Sequence, residues 1–201
     1  MARQKSEQVR QAILDAAHTL FTEKGYIATT ISAIARSANT SQSNVYVYFA
    51  SKIEIAFAVF DPWMRAKMIE LESNVGATRG AEAKLEAMVT GLLNGIAADH
   101  SGQTLTLVQA LATAKPTDNY SSTLLNWTME RLRVMIADAV PASTADEREA
   151  LAQALMLAFD GVALRQNLRR GEIQGEPSTA AFHHLFQPMI DRATAKEPAR
   201  T

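Results

Sequence analysis

Between Ser41 and Phe49 the chain gathers uncharged side chains that donate and accept hydrogen bonds. Gln42, Ser43, Asn44 and Tyr46 supply amide, hydroxyl and phenol groups, and Val47 adds a branched methyl surface. These groups suit the base-pair edges of a DNA major groove. Gln and Asn can pair two-handed with adenine, a well-placed pair discriminating by about 1 to 3 kcal/mol, and Val can meet a thymine methyl. The chemistry on offer is recognition, since no nucleophile with its base, glycine-rich phosphate loop or metal-binding cluster occurs in the sequence. His183 and His184 are neighbours, which point about 100° apart on a helix, and His18 and His100 are isolated, so no metal site is expected. The expectation is a protein that needs no cofactor and is not an enzyme.

The elements that must hold these groups can be read on either side. Thr30 is a candidate N-cap for a short helix over residues 30 to 38, in which Ile31, Ile34, Ala35 and Ala38 recur on one face. Asn39 enters the left-handed region at low cost and can end that helix sharply. Ser41 then caps a second helix over residues 41 to 49, where Val45 and Phe49 lie one turn apart and face inward. That turns Gln42, Ser43, Asn44, Tyr46 and Val47 outward. Ahead of the pair, a helix from about Ser6 to Gly25 carries Ile13, Ala16, Ala17, Leu20 and Phe21 as a stripe to cover it. Two short helices joined by a tight turn, the second exposing polar groups, form a helix-turn-helix.

The order Phe21, Gly25, Tyr26, Thr29, Thr30, a turn, then Val45, Tyr46, Tyr48, Phe49, Ser51 and Lys52 resembles the DNA-binding head of the TetR family of bacterial repressors over roughly residues 6 to 60. The resemblance implies that helix 1 braces the other two and that Thr30, Tyr48 and Lys52 meet DNA phosphates. Thr30 and Lys52 also have a capping and a solvated reading, and Tyr48 leans toward the inward face. Asn39 stands where the family commonly has Gly, Thr40 where it has an aliphatic residue, and Ile31 where some relatives have a base-reading Arg. With no Lys or Arg on the recognition helix, an operator read without a strong two-handed guanine contact from these positions is expected.

Formal net charge is -1 over 201 residues, which alone argues against a nucleic-acid binder. The distribution softens that: residues 1 to 52 hold six basic against three acidic side chains, the remainder fourteen against eighteen. Arg3, Lys5 and Arg10 can reach the DNA backbone or stay solvated. Cysteine is absent, which removes disulfides and thiol chemistry, and neither a membrane span nor a signal peptide is evident, so a cytoplasmic location is expected.

The remainder reads as helices with no strand pattern, giving an all-α fold of about nine helices: the three-helix head and a C-terminal helical ligand-binding and dimerisation body. The DNA-binding domain is placed at 1–52 and the body at 53–201, helix 4 over 51–73 serving as connector. Ser51 and Glu54 form a capping box for that helix, and Asp61-Pro62 predicts a kink or restart within it. Residues 74 to 80 read as a loop, followed by helices over about 81 to 100, 103 to 114, 121 to 140, 144 to 170 and 178 to 193. Thr144 and Glu147 make a second capping box.

The resemblance implies a small-molecule site among helices 4 to 8 and pairing through the last two helices. Phe60, Trp63, Met64, Met68, Met88, Trp127, Met135 and Phe159 are candidates for an apolar wall, with Asn94, Gln109, Asn126 and Asp160 as polar anchors. Plain core packing is the competing account of each apolar member. Leu151, Leu155, Ala158 and Val162, with Phe182, Leu185, Phe186 and Met189, give two apolar stripes that suit a symmetric four-helix contact or a monomer core. The expected function is a homodimeric, ligand-responsive regulator, a repressor that leaves its palindromic DNA operator when a small apolar or amphipathic molecule binds. A helical-bundle enzyme and a regulator whose body senses a protein partner are the alternatives.

Overall fold

The computed structural model describes residues 2 to 115, 118, 122 to 168, 187, 188 and 191. Among them every regular element is helical: α1 Ala2–Ala28, α2 Ile31–Ser37, α3 Gln42–Tyr48, α4 Lys52–Ala77, α5 Ala81–Thr90, a π-helical stretch Gly91–Ala97, α6 Gln103–Ala112, α7 Thr123–Ala139 and α8 Ala145–Leu168. The expected all-α class holds, with eight α-helices where about nine were anticipated. The anticipated last helix, with Phe182, Leu185, Phe186 and Met189, lies outside the described residues apart from three positions.

Several boundaries are set by the side chains that signalled them. Thr30 accepts from the Ala33 N–H at 3.1 Å and Ser41 from the Asn44 N–H at 3.1 Å, so both short helices begin where a hydroxyl satisfies an orphan donor. Asn39, at φ 51, turns the chain between them. The capping box of α8 closes reciprocally: the Glu147 N–H donates to Thr144 Oγ1 at 3.2 Å and the Thr144 N–H to Glu147 Oε2 at 2.9 Å.

Two boundaries differ from expectation. Gly25 (φ 78, ψ 164) breaks the helical path inside α1, after which a further half-turn carries Tyr26 and Ile27. Pro62 sits inside α4 with no interruption, because the helix keeps its phase across the missing donor while Phe57, Phe60 and Met64 remain buried on one face. The expected restart at Asp61 is therefore absent, and α4 runs on through Asn74 and Val75, residues expected in a loop.

The chain divides into two compact units, Met1–Met64 with His100–Leu124, and Arg65–Asp99 with Leu125–Thr201. The first unit takes in α6 because α6 packs on α1. Its core holds Ile13, Ala17, Phe21, Ile34, Val45, Phe49, Ile53, Phe57, Phe60 and Leu107. Phe21 stands 5.6 Å from the Tyr26 ring and 6.1 Å from Phe60. In the second unit Met68, Leu71, Leu85, Met88, Leu92, Leu93, Leu132, Met135, Leu155 and Phe159 are buried. There the π-helical stretch packs on α8, Lys84 pairs with Asp138 at 2.6 Å, and Arg131 pairs with Glu72 at 3.3 Å. Gly91 is required by space: a Cβ there would stand 2.4 Å from Leu71 Cδ1.

Candidate nucleic-acid interface

α3 is pinned from beneath by Val45, which is fully buried, and by Phe49, where the chain has already turned extended (φ -140, ψ 120). The Arg10 guanidinium lies over the Phe49 ring, 5.4 Å from its centre. With those two side chains committed inward, helical geometry leaves Gln42, Ser43, Tyr46 and Val47 exposed, Val47 by 75% and Tyr46 by 51%. A valine and a tyrosine that open to solvent on one short helix are costly to leave unpartnered and suit a surface that is covered in use.

The two amides differ from the free, two-handed readers expected. Gln42 Oε1 accepts from the Ser32 hydroxyl at 2.9 Å, and Asn44 Nδ2 donates to Thr40 Oγ1 at 2.7 Å, with Asn44 half-buried. Each amide already has one partner on the protein, which turns the carbonyl of Gln42 toward Ser32 and the NH₂ of Asn44 toward Thr40 while leaving the second lone pair and the second hydrogen open. Ser32 and Arg36, the latter exposed, had no base-pattern signal in the sequence. Both line a shallow groove of about 590 Å³ with Asn39, Thr40, Ser41 and Gln42, across the turn.

The three residues expected at phosphates fare differently. Thr30 is exposed and caps α2 with its oxygen, leaving its O–H to donate outward. Tyr48 is half-buried. Lys52 points inward: its Nζ donates to the Tyr26 and Thr29 carbonyls, each at 2.9 Å, and lies 4.1 Å from the centre of the Tyr26 ring. Burial pushes its ammonium below the usual lysine range. Burial likewise raises the Tyr26 phenol, with the charge of Asp118 adding to it and a hydrogen bond from Thr113 opposing it. The buried Thr29 hydroxyl lies 2.8 Å from the Gly25 carbonyl and 3.1 Å from that of Leu20. Together these bonds tie the ends of α1 and the starts of α2 and α4 into one knot beneath the exposed face.

Of the residues expected to line an effector cavity, half are buried. Phe60, Met64, Met68, Met88, Met135 and Phe159 are buried, Trp63, Trp127, Asn94, Gln109 and Asp160 half-buried, and Asn126 exposed. The larger groove described, about 710 Å³ in the first unit, has Arg10, Leu14, Asp15, His18, Phe57 and Leu124 in its lining and none of those twelve residues. Trp127 lies under the Arg65 guanidinium at 4.6 Å and that of Arg131 at 5.9 Å. Asn94 Oδ1 is buried and accepts no hydrogen bond among the described residues. Asp160 is held above the usual carboxylate range by burial.

The stripe expected on α8 is divided between buried and half-buried positions. Leu155 and Val162 are buried, 1% and 9% exposed, and belong to the core of their own unit, while Leu151 and Ala158 are half-buried. The face left open is Ala150, Ala154, Leu157, Gly161 and Leu164, with Leu157 74% exposed. Because α8 is apolar around most of its circumference, two stripes compete in the sequence and packing alone selects the inner one.

An all-helical chain with α2 and α3 at a tight turn, and α3 held so that its polar face stands clear, has the architecture of a helix-turn-helix transcriptional regulator. The model of the bacterial regulatory proteins of the tetR family matches residues 13–59. The uncharacterized HTH-type transcriptional regulator TtgW of Pseudomonas putida is 31% identical over 99 residues, 49% of this chain and 71% of that protein. The chain belongs to the TetR family of DNA-binding transcriptional regulators. The HTH-type regulator BetI of Rhizobium meliloti is 28% identical over 174 residues, covering 85% of this chain and 84% of its own. The fatty acid metabolism regulator protein of Bacillus subtilis is 28% identical over 49% of this chain, and the chain spans about half of that relative's length, 50%. A TetR-like regulator from Rhodococcus sp. RHA1 shares the fold with a TM-score of 0.52 and 25% identity, over 94% of this chain and 97% of that one. Among the described residues no helix is long and apolar enough to cross a membrane.

Proposed function

We propose that this protein is a homodimeric, ligand-responsive repressor that grips a palindromic operator with two copies of α3. The observation that carries the reading is the exposure of Gln42, Ser43, Tyr46 and Val47 on a helix whose Val45 is fully buried. Residues 1–52 hold the DNA, with Thr30 and Tyr48 toward phosphates and Lys52 serving the knot beneath, while residues 53–201 carry effector binding and pairing. The open face of α8, at alternating spacings of four and three, supplies a two-helix seam between copies. Pairing sets the two recognition helices about 34 to 36 Å apart, one turn of duplex.

An effector that prefers a different spacing lowers operator affinity by the ratio of its affinities for the two states. The Bacillus subtilis relative is named for fatty acid metabolism and a solved Bacillus subtilis FadR holds stearoyl-CoA, which makes acyl-CoA thioesters the first probes, and the buried Asn94 side-chain carbonyl is a ready acceptor for a ligand donor. The test is selection of bound duplexes from random DNA, followed by a salt titration of the best site. A palindrome with half-sites one turn apart and a steep negative slope of log affinity against log salt is expected. Enrichment of no sequence, or binding that ignores salt, overturns the reading. Saturating acyl-CoA is expected to lower operator affinity at least tenfold, and unchanged affinity would remove that ligand class.

A further inference from the structure

The Ser32 hydroxyl donates to Gln42 Oε1 at 2.9 Å, bridging α2 and α3 across ten residues of sequence. A primary amide has one carbonyl and one NH₂ group, so a partner on the carbonyl decides which end faces outward. We propose that Ser32 is a positioning residue that turns the NH₂ end of Gln42 outward, directed at the keto oxygen of the contacted base pair. This rests on α3 being the DNA-reading helix. Guanine offers O6 and N7 in the major groove and thymine offers O4, all acceptors. Adenine offers an acceptor beside an N6 donor, and cytosine an N4 donor. With its carbonyl turned toward Ser32, Gln42 presents its N–H hydrogens to the first group and meets an exocyclic amino group donor to donor.

Two further observations support the assignment. Ser32 is held on a helix that is itself fixed, since Thr30 caps α2 and Ile34 and Ala35 are buried beneath it. The second amide is set in the opposite sense, Asn44 Nδ2 donating to Thr40 Oγ1 at 2.7 Å and leaving its carbonyl for donors. The two amides of α3 therefore have unlike polarity, and the one at Gln42 is the more exposed.

The experiment uses the full chain and the operator recovered by selection. Gln42→Ala first locates the contacted pair as the position whose preference disappears. Duplexes are then made with the keto oxygen deleted from one base of that pair, or the amino group deleted from the other. For the unsubstituted protein, deleting the keto oxygen is expected to weaken binding about tenfold and deleting the amino group less than about threefold. Both penalties fall below about threefold in Gln42→Ala. In Ser32→Ala the keto penalty drops to about threefold or less with the thermal midpoint unchanged, and Ser32→Thr, which keeps the hydroxyl, restores it. A larger penalty for the amino deletion in the unsubstituted protein means that the amide faces the other way and overturns the proposal. So does a keto penalty that survives Ser32→Ala. If selection enriches no sequence at all, the DNA-reading role of α3 fails first and this assignment with it.

Discussion

The ammonium of Lys52 lies 4.1 Å from the centre of the Tyr26 ring and donates to the carbonyl of that same residue at 2.9 Å, with Thr29 as its second acceptor. Two of its three donors are spent on the protein itself. Lys52→Met is therefore expected to destabilise the protein by about 2 kcal/mol, from lost charge-assisted bonds and the ring contact together. The slope of log operator affinity against log salt should change by less than about one, because a lost phosphate contact would shift it by about that much. Thermal melts and a salt titration of the same variant decide between the two roles.

Gly25 adopts φ 78 and ψ 164, a region that residues with a Cβ rarely enter. Gly25→Ala should cost about 1 to 3 kcal/mol through backbone strain, although its nearest neighbour, Gln109 Oε1, is 4.0 Å away and leaves room for the methyl. Thr29→Val, nearly isosteric, should cost about 1 to 2 kcal/mol because it deprives two main-chain carbonyls of a donor at a 1% exposed site. Denaturant midpoints of both variants check the pair, and neither substitution touches the exposed face of α3.

Burial on α8 separates two leucines two positions apart. Leu157→Glu is expected to leave the unfolding free energy of the isolated protomer within about 0.5 kcal/mol of its original value, since that side chain is 74% exposed. It should convert the proposed dimer to a monomer by light scattering and weaken operator binding. Leu155→Glu places an unpaired charge at a 1% exposed position and should cost upwards of about 3 kcal/mol. A dimer that survives Leu157→Glu would remove this face from the pairing surface.

Asp160 gives the pH dependence. Its carboxyl is raised above the usual range by burial, so between the unfolded and folded values the native state holds more protons than the unfolded chain. Stability from this group is greatest below the unfolded value and declines as pH rises through the folded one. Asp160→Asn should raise the thermal midpoint at pH 7 and flatten that decline above pH 4. An unchanged pH profile in the variant would show that the carboxyl is solvated in the native protein.

Much of the first unit was legible in the sequence because its signals are local. Thr30, Asn39 and Ser41 each fix a helix end through one side-chain or backbone preference, and each sits where expected, as Thr144 does in the second unit. Val45 and Phe49 set the phase of α3, and the outward face follows. What the sequence did not show depends on partners distant in the chain. Ser32 meets Gln42 across ten residues, and Lys52 reaches Tyr26 across twenty-six. On α8 the apolar residues crowd the whole circumference, so Leu155 and Leu157 look alike until packing sorts them. For the same reason Met68, Met88 and Met135, all buried, read equally well as cavity wall or as core.

Pro62 has no hydrogen to give, and four residues earlier the Ala58 carbonyl loses the bond that every regular turn of α4 would supply. Both residues border the larger groove. A rod with a single rung removed yields there before anywhere else, so a load applied along α4 bends it at this turn. The rest of the helix then travels as two stiff levers, and the freed oxygen offers water or a ligand donor a place to stabilise the bent form.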